Sequence, residues 1–202
     1  MELFVTGIDT NVGKTLASLL LVRALNSSYW KPVQSGFPTD SEFIEKYRSN
    51  QLQKIFPSTY QLKEPFSPHY AALLENTNID LQKIIIPDYK GSIIIEGAGG
   101  VFTPLNEKQT MMDLLIQLKV PVVLVIKLYL GCINHSLLTI EALEKRGICI
   151  KGFIFNGQDD WGAVNYICKA KPYAHLLQMN YADSLTENFF MQNENKLKES
   201  IL

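Results

Sequence analysis

Residues 3–25 read LFVTGIDTNVGKTLASLLLVRAL, and the order of chemistry along that stretch decides the fold. Leu3–Thr6 is a short apolar run halted by glycine, the mark of a strand. Lys14–Leu25 continues as an apolar segment of helical length. Between them lies GIDTNVGKT, residues 7–15, so Gly13-Lys14-Thr15 falls at a strand-to-helix turn. Free backbone amides and the helix dipole make such a turn a seat for phosphate. Lys14 is then expected to reach the terminal phosphates and Thr15 to hold Mg²⁺ through its hydroxyl. The common phosphate-loop pattern has four residues between its glycines, whereas Gly7 and Gly13 enclose five.

The remaining runs extend this start into an architecture. Ser92–Ile95, Val120–Ile126 and Ile150–Phe155 are continuous and largely β-branched, as suits strands buried on both faces. Met111–Leu118 and Asn134–Arg146 read as helices between them. In the second, Leu137, Leu138, Ile140, Ala142 and Leu143 form an apolar stripe and Gly147 a stop. Strands alternating with helices predict an α/β fold, a parallel sheet flanked by helices on both faces. No linker, charge block or repeat divides the 202 residues, so one domain over 1–202 is expected. Pro57–Pro68, PSTYQLKEPFSP, reads as an extended loop.

Composition excludes several functions. There are 19 basic and 20 acidic residues, a formal charge of −1, which argues against nucleic acid as a main partner. Cys132, Cys149 and Cys168 lack any C-x-x-C pairing, pointing to a reducing cytoplasm and away from zinc. MELFVTGIDT does not read as a signal peptide, and VPVVLVI is too short to span a bilayer. A soluble cytoplasmic protein without membrane partners is expected.

In open parallel sheets ligands bind beyond the carboxyl ends of the strands. SIIIEGAGG, residues 92–100, ends a buried strand in Glu96, a carboxylate where a nucleotide enzyme needs a Mg²⁺ ligand. Gly97, Ala98, Gly99 and Gly100 leave room for a ligand to approach the backbone. WKPVQSG, residues 30–36, presents Lys31 and Ser35, and Asp40 follows. Spacing alone leaves Lys31 readable as a surface charge and Asp40 as a helix N-cap. Gly131, Cys132, Ile133 and Asn134 open a helix whose amides suit a carboxylate, with a cap at Asn134 and a buried Cys132 as the alternative. His135 has no partner spacing for a metal or a triad and reads as core or cap packing.

GIDTNVGKT, WKPVQSG, EPFSPH, EGAGGVFTPL and LGCINHSLLT, in that order, resemble the dethiobiotin synthetase family up to about Asn156. The family's own loop carries the five-residue spacing. The resemblance implies a P-loop, ATP- and Mg²⁺-dependent ligase that carboxylates 7,8-diaminopelargonate with CO₂ and closes the ring through a carbamic–phosphoric anhydride. It implies that the amides of Asn11, Val12, Gly13, Lys14, Thr15 and Leu16, together with the Gly97–Gly99 loop, hold ATP. Thr15, Asp40 and Glu96 would ligate Mg²⁺, and Asn156 would contact adenine. Thr10, Lys31 and Ser35 would face the diamine and its carbamate, with Lys31, Lys14 and Thr10 catalytic. Gly131, Cys132, Ile133 and Asn134 would grip the substrate carboxylate across a homodimer interface.

The chain departs from the family in its tail. KPYAHLLQMNYADSLTENFF lacks the family's P-x-L-G-x-I-P-like stretch around the base, so weak discrimination between ATP and GTP is expected. Two rival readings share the same start. A cobyrinic-acid-type amidase normally carries a further domain. A septum-positioning regulatory ATPase would have a second lysine early in the loop and an amphipathic C-terminal helix, but position 8 is Ile and the last 15 residues look polar and mixed.

Overall fold

The structure is a computed structural model that describes residues 1–50, 53–180 and 184–201. Its main sheet has seven strands: β1 (Glu2–Gly7), β2 (Ser28–Trp30), β4 (Ile55–Phe56), β6 (Ile93–Gly100), β7 (Val122–Lys127), β8 (Ile150–Asn156) and β9 (Ala174–Met179). Their order is β4-β2-β6-β1-β7-β8-β9, with every pairing parallel. β3 (Val33–Ser35) and β5 (Tyr60–Leu62) form a small parallel sheet of their own. The helices are α1 (Lys14–Leu25), α2 (Asp40–Tyr47), α3 (Pro68–Leu74), α4 (Met111–Leu118), α5 (Cys132–Glu144), α6 (Ala163–Ala170) and α7 (Glu187–Ile201).

The apolar runs are continuous because both faces of the sheet are covered. Leu3 and Val5 of β1 pack with α1, α7 and Ile44 of α2, while Phe4 between them faces the opposite layer. β7 divides the same way, Val123 and Val125 on one side, Val122, Leu124 and Ile126 on the other. That second layer contains residues of α3, α4, α5 and α6. A polar residue at any of these positions would forfeit roughly 1.5–3 kcal/mol of burial whichever way it pointed.

Helices α1 and α4 have the limits the sequence predicts. β7 begins at Val122, one residue past Pro121, which cannot donate to a ladder. The expected loop Pro57–Pro68 contains β5, because Pro57 and Pro65 flank the paired residues instead of interrupting them. The expected helix Asn134–Arg146 starts two residues earlier, at Cys132. Gly131, at φ 108°, is the N-cap, so Asn134 is not; Leu138 remains 58% exposed, outside the buried stripe. Among the described residues no helix is long and apolar enough to cross a membrane.

The C-terminal helix also differs from expectation. The last residues form α7, whose Phe190, Leu197 and Ile201 are buried against the layer built by α1. The amphipathic helix demanded by the regulatory rival is therefore present, with its apolar face turned onto its own fold.

Candidate active site

Strand β1 lies between β6 and β7, where connections depart in opposite directions and a crevice opens beyond the strand ends. The loop after β1 reverses through Asn11 at φ 56° and Gly13 at φ 98° before α1 begins. A Cβ on Gly13 would stand 2.4 Å from Asn156 Nδ2, so glycine is needed for both space and conformation. No amide from Asn11 to Leu16 has an acceptor among the described residues. These donors make the loop an anion seat. Lys14 Nζ folds back to donate to Asp9 O at 2.9 Å. Burial, with Lys31 nearby, lowers its pKa to about 8 despite the opposing pull of Glu96.

Thr15, Lys31, Asp40 and Glu96 come together beside this loop. Thr15 Oγ1 lies 2.5 Å from Asp40 Oδ1 and 3.0 Å from Glu96 Oε1. Lys31 Nζ donates to Asp40 Oδ2 at 2.5 Å and Glu96 Oε1 at 3.2 Å. Lys31 is thus a buried charge and not a surface one. Burial works to discharge it, but Glu96 and Asp40 outweigh that and hold its pKa above the ordinary lysine value. Lys31 likewise overcomes the effect of burial on Asp40 and lowers that carboxyl's pKa.

Local structure frees Asp40 for this role. Thr39 caps α2, its hydroxyl accepting from Glu42 N while Glu42 receives Thr39 N, so Asp40 is the first helical residue and not the cap. Gln34 Oε1 accepts from Asp40 N at 3.2 Å, tying α2 to β3. Glu96 does not end its strand, because β6 runs on to Gly100 alongside β1. Its side chain is fully buried, and Tyr29 OH donates to Oε2 at 2.9 Å. Gly97 serves packing: a Cβ there would meet the Phe4 ring at 2.7 Å.

A cleft of about 1020 Å³ opens over this cluster, with Thr10, Asn11, Ser35, Ala98, Gly99 and Asn156 on its wall. Ser35 Oγ is buried without a hydrogen-bond partner among the described residues. Ser35→Ala is therefore expected to leave stability unchanged within about 0.5 kcal/mol, since no bond to a described residue is lost. A clear fall in Tm would overturn this. Asn156 Nδ2 donates to Val12 O at 2.9 Å and so buttresses the loop. Gly131, Cys132, Ile133 and Asn134 lie outside the cleft wall, at the start of α5. The amides of Ile133 and Asn134 have no acceptor among the described residues. His135 is exposed and pairs with Tyr129 OH at 2.5 Å, which replaces its expected core or cap packing.

Sequence reasoning missed Tyr29, Gln34 and Lys127. Tyr29 looks like core in SYW and shows its purpose only through a carboxylate 67 positions away. Gln34 sits inside the quoted WKPVQSG, where a polar residue at a buried strand position was the available signal. Lys127 closes β7 and lines the cleft.

A glycine-bounded loop with unpaired amides, followed by a helix opening in Lys-Thr, beside one carboxylate within a buried strand and one at the start of a helix, defines a P-loop nucleotide-binding protein. A family profile described as an AAA domain matches residues 1–188. The ATP-dependent dethiobiotin synthetase BioD of Cytophaga hutchinsonii is 44% identical over 186 residues, spanning 91% of this chain and 90% of that protein. The enzyme of the same name from Rhodopseudomonas palustris strain BisB18 is 42% identical over 186 residues, spanning 91% and 89%. The chain belongs to the ATP-dependent dethiobiotin synthetase family.

Solved structures give the same fold at greater distance. The septum site-determining protein MinD of Pyrococcus horikoshii, complexed with Mg-ADP, superposes with a TM-score of 0.62 at 12% identity, covering 100% of this chain and 93% of that one. A ParA family ATPase from Chlorobium tepidum gives a TM-score of 0.52 at 10% identity, covering 98% and 96%. At these identities the likeness is one of fold alone.

Proposed function

We propose that the chain is an ATP-dependent ligase of biotin synthesis, converting 7,8-diaminopelargonate and CO₂ to dethiobiotin with release of ADP and phosphate. The observation that carries this reading is the convergence of Lys31, Thr15, Asp40 and Glu96 beside an anion-seating loop. One substrate amine adds to CO₂ as a carbamate, whose oxygen attacks the γ-phosphorus and expels ADP. The second amine then attacks the carbamoyl carbon and expels phosphate, closing the ring.

The amides of Asn11–Leu16 and the Lys14 ammonium bind phosphate oxygens and fix the γ-phosphorus for in-line attack. One hydroxyl with an oxygen from each of two carboxylates within hydrogen-bond reach of it fits a hard divalent cation. Thr15, Asp40 and Glu96 would hold Mg²⁺, which supplies charge neutralisation on the phosphates when bound. Lys31 stabilises the negative charge where carbamate and phosphate meet. Ser35 and Thr10 accept and donate around the carbamate, and the Ser35 hydroxyl is free to do so.

The Ile133 and Asn134 amides suit the substrate's distal carboxylate. Their position outside the cleft of the same chain favours a homodimer in which a second copy supplies them. We read residues 1–202 as one domain working in the cytoplasm.

Phosphate release from MgATP and bicarbonate, with and without the diamine, tests the proposal. Turnover should require the diamine, and release that ignores it would overturn the reading. The tail that lacks a base-wrapping motif includes residues 181–183, which lie outside the described residues. From that sequence feature, kcat/KM for GTP should approach that for ATP, and a strong ATP preference would contradict it.

A further inference from the structure

The oxygens assigned to the metal already hold a cation, and it belongs to the chain. Lys31 Nζ and Thr15 Oγ1 converge on the same Glu96 oxygen, Oε1, and each also contacts Asp40. The Thr15 hydroxyl has one proton and serves one carboxylate at a time, so Lys31 supplies the compensating charge of the pair. Glu96 is 1% exposed and its other oxygen is taken by Tyr29 OH, so water contributes little. Lys14 lines the same cleft and is depressed by the Lys31 charge, so a divalent ion on these oxygens would face a crowded positive field.

We propose that Lys31 occupies the Asp40–Glu96 pair in metal-free protein, and that the divalent cation displaces its ammonium into the cleft, where it meets the carbamate. The inference rests on the assignment of Thr15, Asp40 and Glu96 as metal ligands. Like charges a few ångströms apart in a buried site repel strongly, and the flexible four-carbon lysine stem is the part able to move. Ser35, which lines the same cleft and carries an unpartnered buried hydroxyl, provides a polar atom on the route. The lysine becomes available to the reaction only in protein that has bound its metal. Until then the same lysine keeps the buried Glu96 carboxylate and the partly buried Asp40 carboxylate from lying uncompensated.

Mn²⁺ is the probe, its free concentration read by electron paramagnetic resonance in ADP-saturated protein without the diamine. Lys31→Gln removes the internal competitor and should bind Mn²⁺ about tenfold more tightly than the unaltered protein. In the unaltered protein, acylation of Lys31 followed by mass spectrometry should rise several-fold when Mn²⁺ is added. That measurement stands even if the variant folds poorly. Equal or weaker Mn²⁺ binding by Lys31→Gln, or acylation of Lys31 that stays flat while Mn²⁺ binds, would overturn the displacement. Glu96→Gln separates the two levels of inference: if it leaves Mn²⁺ affinity unchanged, the metal assignment itself is wrong. If Glu96→Gln weakens binding while Lys31→Gln does not strengthen it, only the displacement fails.

Discussion

Lys31→Gln is expected to lower kcat by about 10³-fold while the protein remains folded, the loss typical of removing one preorganised donor to developing negative charge. Lys31 is 6% exposed, projects from just beyond β2 into the cleft, and is held charged by Glu96 and Asp40. Glutamine is one atom shorter and keeps a donor but loses the charge, so on the proposed mechanism it would no longer stabilise the step in which carbamate oxygen and phosphate approach. The substitution also removes the cation from the buried Glu96 carboxylate, leaving it Thr15 and Tyr29 as partners among the described residues. A stability loss of about 1–3 kcal/mol follows, and Mg²⁺ should recover part of it by binding the freed carboxylates. Thermal melts with and without Mg²⁺ check the second claim, and steady-state phosphate release checks the first. A variant that keeps a tenth or more of the turnover would refute the role given to Lys31.

The elements legible in the sequence are those whose signal is local. Lys14–Leu25 and Met111–Leu118 coincide with α1 and α4, because apolar spacing, a glycine or threonine before the first turn and a stop after the last lie within one window. β1, β7 and β8 were readable because burial on both faces removes any need for polar alternation. β3 and β5 were not, since three-residue strands carry too few residues for a pattern and their pairing is nonlocal.

The site divides along the same line. Gly13, Lys14 and Thr15 declare themselves by spacing, and Glu96 by its place near a strand end. The functions of Lys31 and Asp40 depend on contacts across 65 and 25 positions, which no local pattern encodes. Asp40 in particular reads as a cap until Thr39 and Glu42 are seen to close the helix without it. The family motifs supplied what periodicity lacked there. The C-terminal helix had neither kind of signal. Its buried residues, Phe190, Asn193, Leu197 and Ile201, are spaced among charged and amide side chains, and all lie beyond residue 188, where the family match ends.

That helix makes the second large prediction, because one buried arginine ties it to the helix that carries the phosphate loop. Arg23→Met should destabilise the protein by about 3 kcal/mol, lowering Tm by roughly 6–12 °C for a chain of this size. Arg23 lies in the last turn of α1 with its side chain 4% exposed. Its guanidinium donates to Glu194 and Glu187 of α7 and, at 2.7 Å, to Tyr47 O at the end of α2, and it stacks 4.3 Å from the centroid of the Phe190 ring. The two carboxylates are not equivalent. Glu194 is 12% exposed, so loss of its cation leaves a charge in a poorly solvated place, whereas Glu187 at 66% is screened by water and contributes little. Methionine fills much of the volume and keeps contact with Phe190, so the effect reports the unpaired charge more than a cavity. Glu187→Gln should accordingly cost under about 1 kcal/mol. The double variant Arg23→Met with Glu194→Gln should be more stable than Arg23→Met alone, since no buried charge then lacks a partner. Chemical denaturation of the four proteins decides it: an Arg23→Met loss below about 1 kcal/mol, or a double variant no better than the single, would show that α7 is held by its apolar face alone.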